Sequence, residues 1–181
     1  MAARAAASGD VAALRRLEAA GRLAAEGEEG EDRGAPDEPA NTPLVWAADA
    51  GQAAAVEYLL GLEATDVNHR GYLGATALCR ACRRGHCDVL RLLLGRPEAD
   101  PNIPNLKAQH PLHFAAFKKN AAAVAVLLLE DPAGRASTTV VDRKGRTPAE
   151  DTSVEGIREA VYAARRGDAA AAEAWLRPLL G

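Results

Sequence analysis

The apolar positions of this chain recur in a rhythm longer than any single helix or strand. Leu44, Ala47 and Ala48 stand at i, i+3 and i+4, and so do Val56, Leu59 and Leu60; that spacing places each trio on one face of a helix. The two trios return as Leu78, Ala81, Cys82 with Leu90, Leu93, Leu94. They return again as Leu112, Ala115, Ala116 with Val124, Leu127, Leu128. The offset is 34 each time (78 − 44 and 112 − 78). A constant period of that length marks a stack of like units. Each unit is predicted to be two short helices that are marginal alone but share one apolar core when stacked in register. Each Leu or Val so buried contributes about 1.5–3 kcal/mol.

The polar positions punctuate this rhythm. Thr42-Pro43 and Thr147-Pro148 read as helix starts, with threonine capping free N–H groups and proline at the first helical position. Gly51 and Gly85 fall where the first helix should end in a left-handed residue. Two units close with Asp66-Val67-Asn68 and Asp100-Pro101-Asn102, in which the asparagines are read as turn residues bonding local backbone.

Thr42-Pro43-Leu44-Val45-Trp46-Ala47-Ala48, Thr76-Ala77-Leu78-Cys79-Arg80-Ala81-Cys82 and His110-Pro111-Leu112-His113-Phe114-Ala115-Ala116 align in one register. They resemble the ankyrin repeat, which runs roughly D-x-x-G-x-T-P-L-H-x-A-A-x-x-G, then V-x-x-L-L, then A-D-V-N. The match spans about residues 37–151. The resemblance implies an all-α ankyrin-repeat solenoid: stacked antiparallel helix pairs with finger loops, capped at both ends. The boundaries that follow are a capping helix pair at 1–25, a mobile acidic loop at 26–38, repeats over 39–152 and capping helices at 153–181. The repeats divide at about 39–68, 69–102 and 103–139, with a partial one at 140–152.

Departures from the pattern carry their own expectations. Val45 and Cys79 occupy the motif-histidine slot that only His113 keeps, so inter-repeat hydrogen bonds should be missing from repeats 1 and 2. Lys119 replaces the helix-ending glycine, and Asn120 is expected to take over the left-handed turn. Ala40 and Ala108 replace the finger glycine, so those two fingers should be less regular. Leu112 to Ala149 spans 37 residues, an insertion of three.

Composition fits. The chain has 181 residues, 48% hydrophobic and only 4% aromatic; Ala and Leu dominate, and both favour helices. Net charge is −3, which argues against a dedicated nucleic-acid binder. The three cysteines, Cys79, Cys82 and Cys87, form a poor disulfide framework and point to a reducing compartment, cytoplasmic or nuclear. No apolar run is long enough to span a membrane. Cys79-x-x-Cys82 with His86 and Cys87 mimics zinc spacing, but the repeat accounts for every one of these positions. His113 lacks a nucleophile and an orienting partner at triad spacing, and no phosphate-binding glycine loop is present. No metal, cofactor or catalytic residue is expected, and the chain is read as non-catalytic.

In ankyrin-repeat proteins, partners usually dock on the finger tips and the exposed side of the first helices. Carried over by position, that face comprises Tyr72, Leu73, Arg80, Arg83, Arg84, Lys107, Gln109, Phe114, Phe117, Lys118, Lys144 and Arg146, with Asn41 and Ala75 as further exposed finger positions. Residues 69–120 hold nine Lys or Arg against three Asp or Glu, so the face should be basic and partly aromatic. Arg and aromatic residues are common interface anchors. The expected partner is another protein, engaged through an acidic segment by a monomeric array acting as scaffold or adaptor. The alternatives are an inhibitory or recruiting subunit of a larger enzyme, and binding of an anionic ligand or nucleic acid on the same face. Residues 26–38 hold seven acids and one base; this loop is expected to fold over the basic face when no partner is bound.

Overall fold

Short helices follow one another in antiparallel pairs along the computed structural model, which describes residues 1–23, 40–131 and 133–180. The acidic segment 26–38 lies outside the described residues. The first pair is α1 (Ala2–Ser8) and α2 (Val11–Ala19). The repeats supply α3 (Pro43–Asp49) with α4 (Ala53–Leu60), α5 (Ala77–Arg84) with α6 (Cys87–Leu94), and α7 (Pro111–Phe117) with α8 (Ala121–Ala125). A π-helical turn over Val126–Glu130 extends α8. The last pair is α9 (Glu155–Arg165) and α10 (Ala169–Leu176). Helices α1, α3, α5 and α7 stack as one row, and α2, α4, α6 and α8 as a second. There is no strand among the described residues, so the expected all-α solenoid is what the chain forms.

The predicted apolar faces make the core. Val56, Leu90, Val124, Leu93 and Leu127 are completely buried, and Leu44, Leu78 and Leu112 nearly so. Thr42 and Thr76 accept the N–H of Val45 and Cys79 at 3.4 and 3.3 Å, capping α3 and α5 as expected. The rows are also laced together at the pair turns. Gln52, His86 and Asn120, again 34 apart, lie against Gly9, Gly51 and Gly85 of the preceding pair.

Several expectations need correction. Lys119, not Asn120, takes the left-handed conformation (φ 58°); Asn120 instead caps α8, its Oδ1 accepting from Ala123 N at 2.9 Å. The Lys119 side chain is exposed. Ala108 adopts φ 55° and keeps its finger as regular as the next. Asn105 N–H donates to Gln109 O at 2.9 Å, as Asp142 N–H does to Arg146 O. Asn68 and Asn102 do not bond locally. Each amide spans to the next repeat, Asn68 to Glu98 O (2.7 Å) and Asp100 N (2.9 Å), Asn102 to Arg135 O and Ser137 N (both 2.7 Å). The turn role falls to Asp66 and Asp100, which accept the N–H of Asn68 and Asn102.

In the motif-histidine slot, His113 Nδ1 accepts the His110 N–H and its Nε2 donates to Arg146 O at 2.9 Å, tying repeat 3 to the next finger. Cys79 keeps a weak version of that tie, Sγ to Ile103 O at 3.8 Å. Thr147-Pro148 opens a single turn and no helix: the Glu150 carboxylate takes both the N–H and the hydroxyl of Thr147, at 2.7 and 2.8 Å. Helix α10 packs on α8 and its π turn.

Candidate functional site

A notch of about 230 Å³ opens between the second and third fingers, where the rims of α5 and α7 meet them. Its position follows from the repeat. The second finger turns over 71–75, closed by Gly71 N–H to Ala75 O at 3.1 Å; the third turns over 105–109. Leu106 N–H donates to Leu73 O at 2.9 Å, holding the two fingers side by side. Seven of the twelve residues named from sequence line the notch: Tyr72, Leu73, Arg80, Arg83, Lys107, Gln109 and Phe114. Asn105, Ala75 and Cys79 complete it. Asn105 has a clear structural reason to be there, since its Oδ1 accepts the N–H groups of Lys107 (2.8 Å) and Gln109 (2.9 Å) and shapes the finger.

The other named residues do not line the notch. Phe117 and Lys118 are exposed at the end of α7, with the Lys118 ammonium 5.8 Å from the Phe117 ring centroid. Lys144 is exposed on the fourth finger. Arg146 is less of a free cation than the charge count implies, because it pairs with Asp142 and Asp151, both at 2.7 Å. Two expected exposed finger positions are buried: Ala75, and Asn41, whose Oδ1 accepts the Tyr72 N–H at 2.9 Å.

Arg80 also departs from expectation. It is 7% exposed, donates to Tyr72 O at 3.3 Å and lies 3.9 Å from Asp49. Arg83 and Arg84 reach the same carboxylate at 3.0 Å each. Three guanidiniums of repeat 2 therefore converge on one carboxylate of repeat 1. Burial works to raise the Asp49 pKa, but hydrogen bonds from Arg84 and Arg83 outweigh it and hold the carboxyl below its usual value. The clamp was missed in the sequence, although a signal existed: Asp49 and Arg83 occupy the same repeat position, 34 residues apart, with opposite charge.

Reactive chemistry does not gather here. Burial pushes the Cys79 thiol up, and that of Cys82 well up, so both are neutral core groups. Among the described residues no cluster of three His, Cys, Asp or Glu could hold a metal ion. No described helix is long and apolar enough to cross a membrane. A larger hollow of about 850 Å³ lies beside α3 and α4. Leu23 and Ala40, the described residues flanking 24–39, both line it, and no site is assigned to it.

Comparison with known proteins points the same way as the geometry. A family model described as ankyrin repeats (3 copies) matches residues 3–105. Over 90 residues, half of this chain, the sequence is 38% identical to the E3 ubiquitin-protein ligase XBAT33 of Arabidopsis thaliana. It is 39% identical, over the same length, to the probable E3 ubiquitin-protein ligase XBOS33 of Oryza sativa subsp. japonica. Over 87 residues, 48% of this chain, it is 38% identical to BCL-6 corepressor-like protein 1 of Homo sapiens. The aligned part covers 17%, 17% and 5% of those proteins, so this chain corresponds to a small portion of each.

Proposed function

The chain belongs to the ankyrin-repeat family, whose stacked helix pairs are protein–protein interaction modules, and from that premise we propose that it is a non-catalytic adaptor. It captures an acidic segment of a partner protein along the fingers and first helices of repeats 2 to 4. One observation carries this reading: the notch gathers Tyr72, Leu73 and Phe114 with Lys107, Gln109 and Arg83. A mixed aromatic and cationic lining is the composition of interface anchors. In this reading residues 39–152 are the binding array, and the flanking helix pairs close its ends. A polar-faced cap keeps a repeat stack soluble.

Three lysines of this face are exposed. Lys107, Lys118 and Lys144 ion-pair with no carboxylate among the described residues. Their ammonium groups set the long-range attraction, whereas Arg83 and Arg84 are partly spent on Asp49. A recruiting role within a larger assembly is a second reading, favoured by the length of the relatives, of which the aligned segment is 17% or less.

The test is fluorescence anisotropy with a labelled Asp/Glu-rich peptide interspersed with Leu and Phe. Binding should weaken steeply with salt. The triple variant K107E/K118E/K144E should bind about tenfold or more weakly, mainly through slower association. Unchanged affinity and unchanged salt dependence would refute the reading. Tighter binding of duplex DNA than of the peptide, with a steep salt slope, would transfer the face to nucleic acid.

A further inference from the structure

The notch has a size that selects its occupant. Its volume of about 230 Å³ falls below the roughly 300–1,000 Å³ of clefts that enclose metabolites and drug-sized ligands. It is scaled to a single long side chain. Its lining is divided: the Phe114 and Tyr72 rings and Leu73 supply apolar wall, and Arg83, Lys107 and Gln109 supply donors. A side chain with an aliphatic stem and an anionic end matches both halves.

Arg83 gives a second, independent pointer. Its Nη2 donates to Asp49 at 3.0 Å, while its Nε is buried with no hydrogen-bond partner among the described residues. A buried donor left unpaired carries a desolvation penalty until an acceptor reaches it. Arg83 and Arg84 both donate to that one Asp49 carboxylate beside the notch.

Resting on the acidic-partner reading above, we propose that the notch is an anion pocket for one acidic side chain of the bound segment. The anionic group meets Lys107 and Arg83, and the stem lies on Phe114. Asp49 occupies part of the donor capacity of the same arginines and so limits the pocket's strength. The anion is a carboxylate or a phosphate carried by the partner's chain; both present oxygen acceptors to guanidinium and ammonium, and a phosphate gains more from a freed, bidentate arginine.

The experiment titrates the ¹⁵N-labelled full chain with three short peptides that differ only at the central residue, which is Glu, Gln or phosphoserine between two Leu. The Glu or phosphoserine peptide should shift the amides of Tyr72, Lys107, Gln109 and Phe114. The Gln peptide should bind about tenfold more weakly, since it lacks the charge. Lys107→Glu, on an exposed finger, should erase that preference while the spectrum stays folded. Asp49→Asn, nearly isosteric, should tighten the anionic peptides about threefold or more by releasing Arg83 and Arg84. A larger gain for phosphoserine assigns a phosphorylated side chain, and a larger gain for Glu assigns a carboxylate. Equal binding of the three peptides, or a preference that survives Lys107→Glu, overturns the pocket; unchanged affinity in Asp49→Asn overturns the role given to Asp49. Polyglutamate separates the levels. If it binds with steep salt dependence while the three peptides are not told apart, the pocket falls and the groove stands; if polyglutamate does not bind, both fall.

Discussion

Gly85 sits at φ 82°, with the Asn120 amide of the next repeat packed against its α-carbon. A β-carbon there would be strained by the backbone and would also collide with Asn120. Gly85→Ala should therefore cost about 2 kcal/mol or more, read from chemical denaturation, and part of that cost should vanish in an Asn120→Ala background. Ala108 presents the opposite case, an L residue held at φ 55°. Ala108→Gly should stabilise the chain by up to about 1 kcal/mol, the left-handed penalty less the added entropy of glycine, seen as a higher melting temperature. Sequence periodicity located both slots. It did not show that Ala108 would accept the strained conformation, because that depends on Asn105, whose side chain satisfies two finger N–H groups and so over-determines the turn. Nor could it show that Lys119 would do the same, since the side chain that crosses a pair turn comes from a neighbouring repeat.

The insertion after α8 is built around one arginine. Arg135 donates to the carbonyl of Leu94, the last residue of α6, to those of Arg96, Pro97 and Ala99 beyond it, and to Asp131, whose side chain is fully buried. Arg135→Ala strands these acceptors and a buried carboxylate. It should destabilise the chain by about 3 kcal/mol, with local loss of hydrogen-exchange protection at the end of α6. Nothing in the 34-residue spacing announces this plug, because the residue lies inside the segment that breaks the period. The fourth finger has its own acid sensitivity. Burial raises the Asp142 carboxyl, but the N–H and guanidinium of Arg146 and the N–H of Lys144 prevail and bring its pKa from 3.8 to about 2. Asp49 and Asp131 are also lowered, against burial, by their arginines. A carboxyl depressed on folding stabilises at pH above its unfolded value and loses that contribution as pH falls through the folded one. Burial leaves Asp151 raised instead, so its ionisation opposes folding and its protonation in acid partly offsets the loss. Glu98, Glu130 and Glu150 are lowered as well, so the lowered carboxyls outweigh the raised one and stability should decline between about pH 4 and pH 2, and Asp142→Asn should flatten part of that decline in a pH series of denaturation curves.

Taken together, the repeats form a rod with two unlike sides. One carries the fingers and first helices, where Tyr72, Lys107, Phe114, Phe117, Lys118 and Lys144 gather; the other is the row α2, α4, α6 and α8. The stack, its core and this division were legible in the primary structure, because burial in a solenoid obeys the same period as the sequence. The strength of the basic face was not. Counting cations overlooks where their counter-charges fold, and here Asp49, Asp142 and Asp151 neutralise part of the charge carried by Arg83, Arg84 and Arg146. The lysines remain, and with the notch they mark the side proposed above to dock the partner. Hydrogen-exchange mass spectrometry of the full chain with and without polyglutamate reads that directly. Protection should appear over the fingers at 71–75 and 105–109 and along α5 and α7, and should fade with salt. Protection confined to α4, α6 and α8 would contradict it.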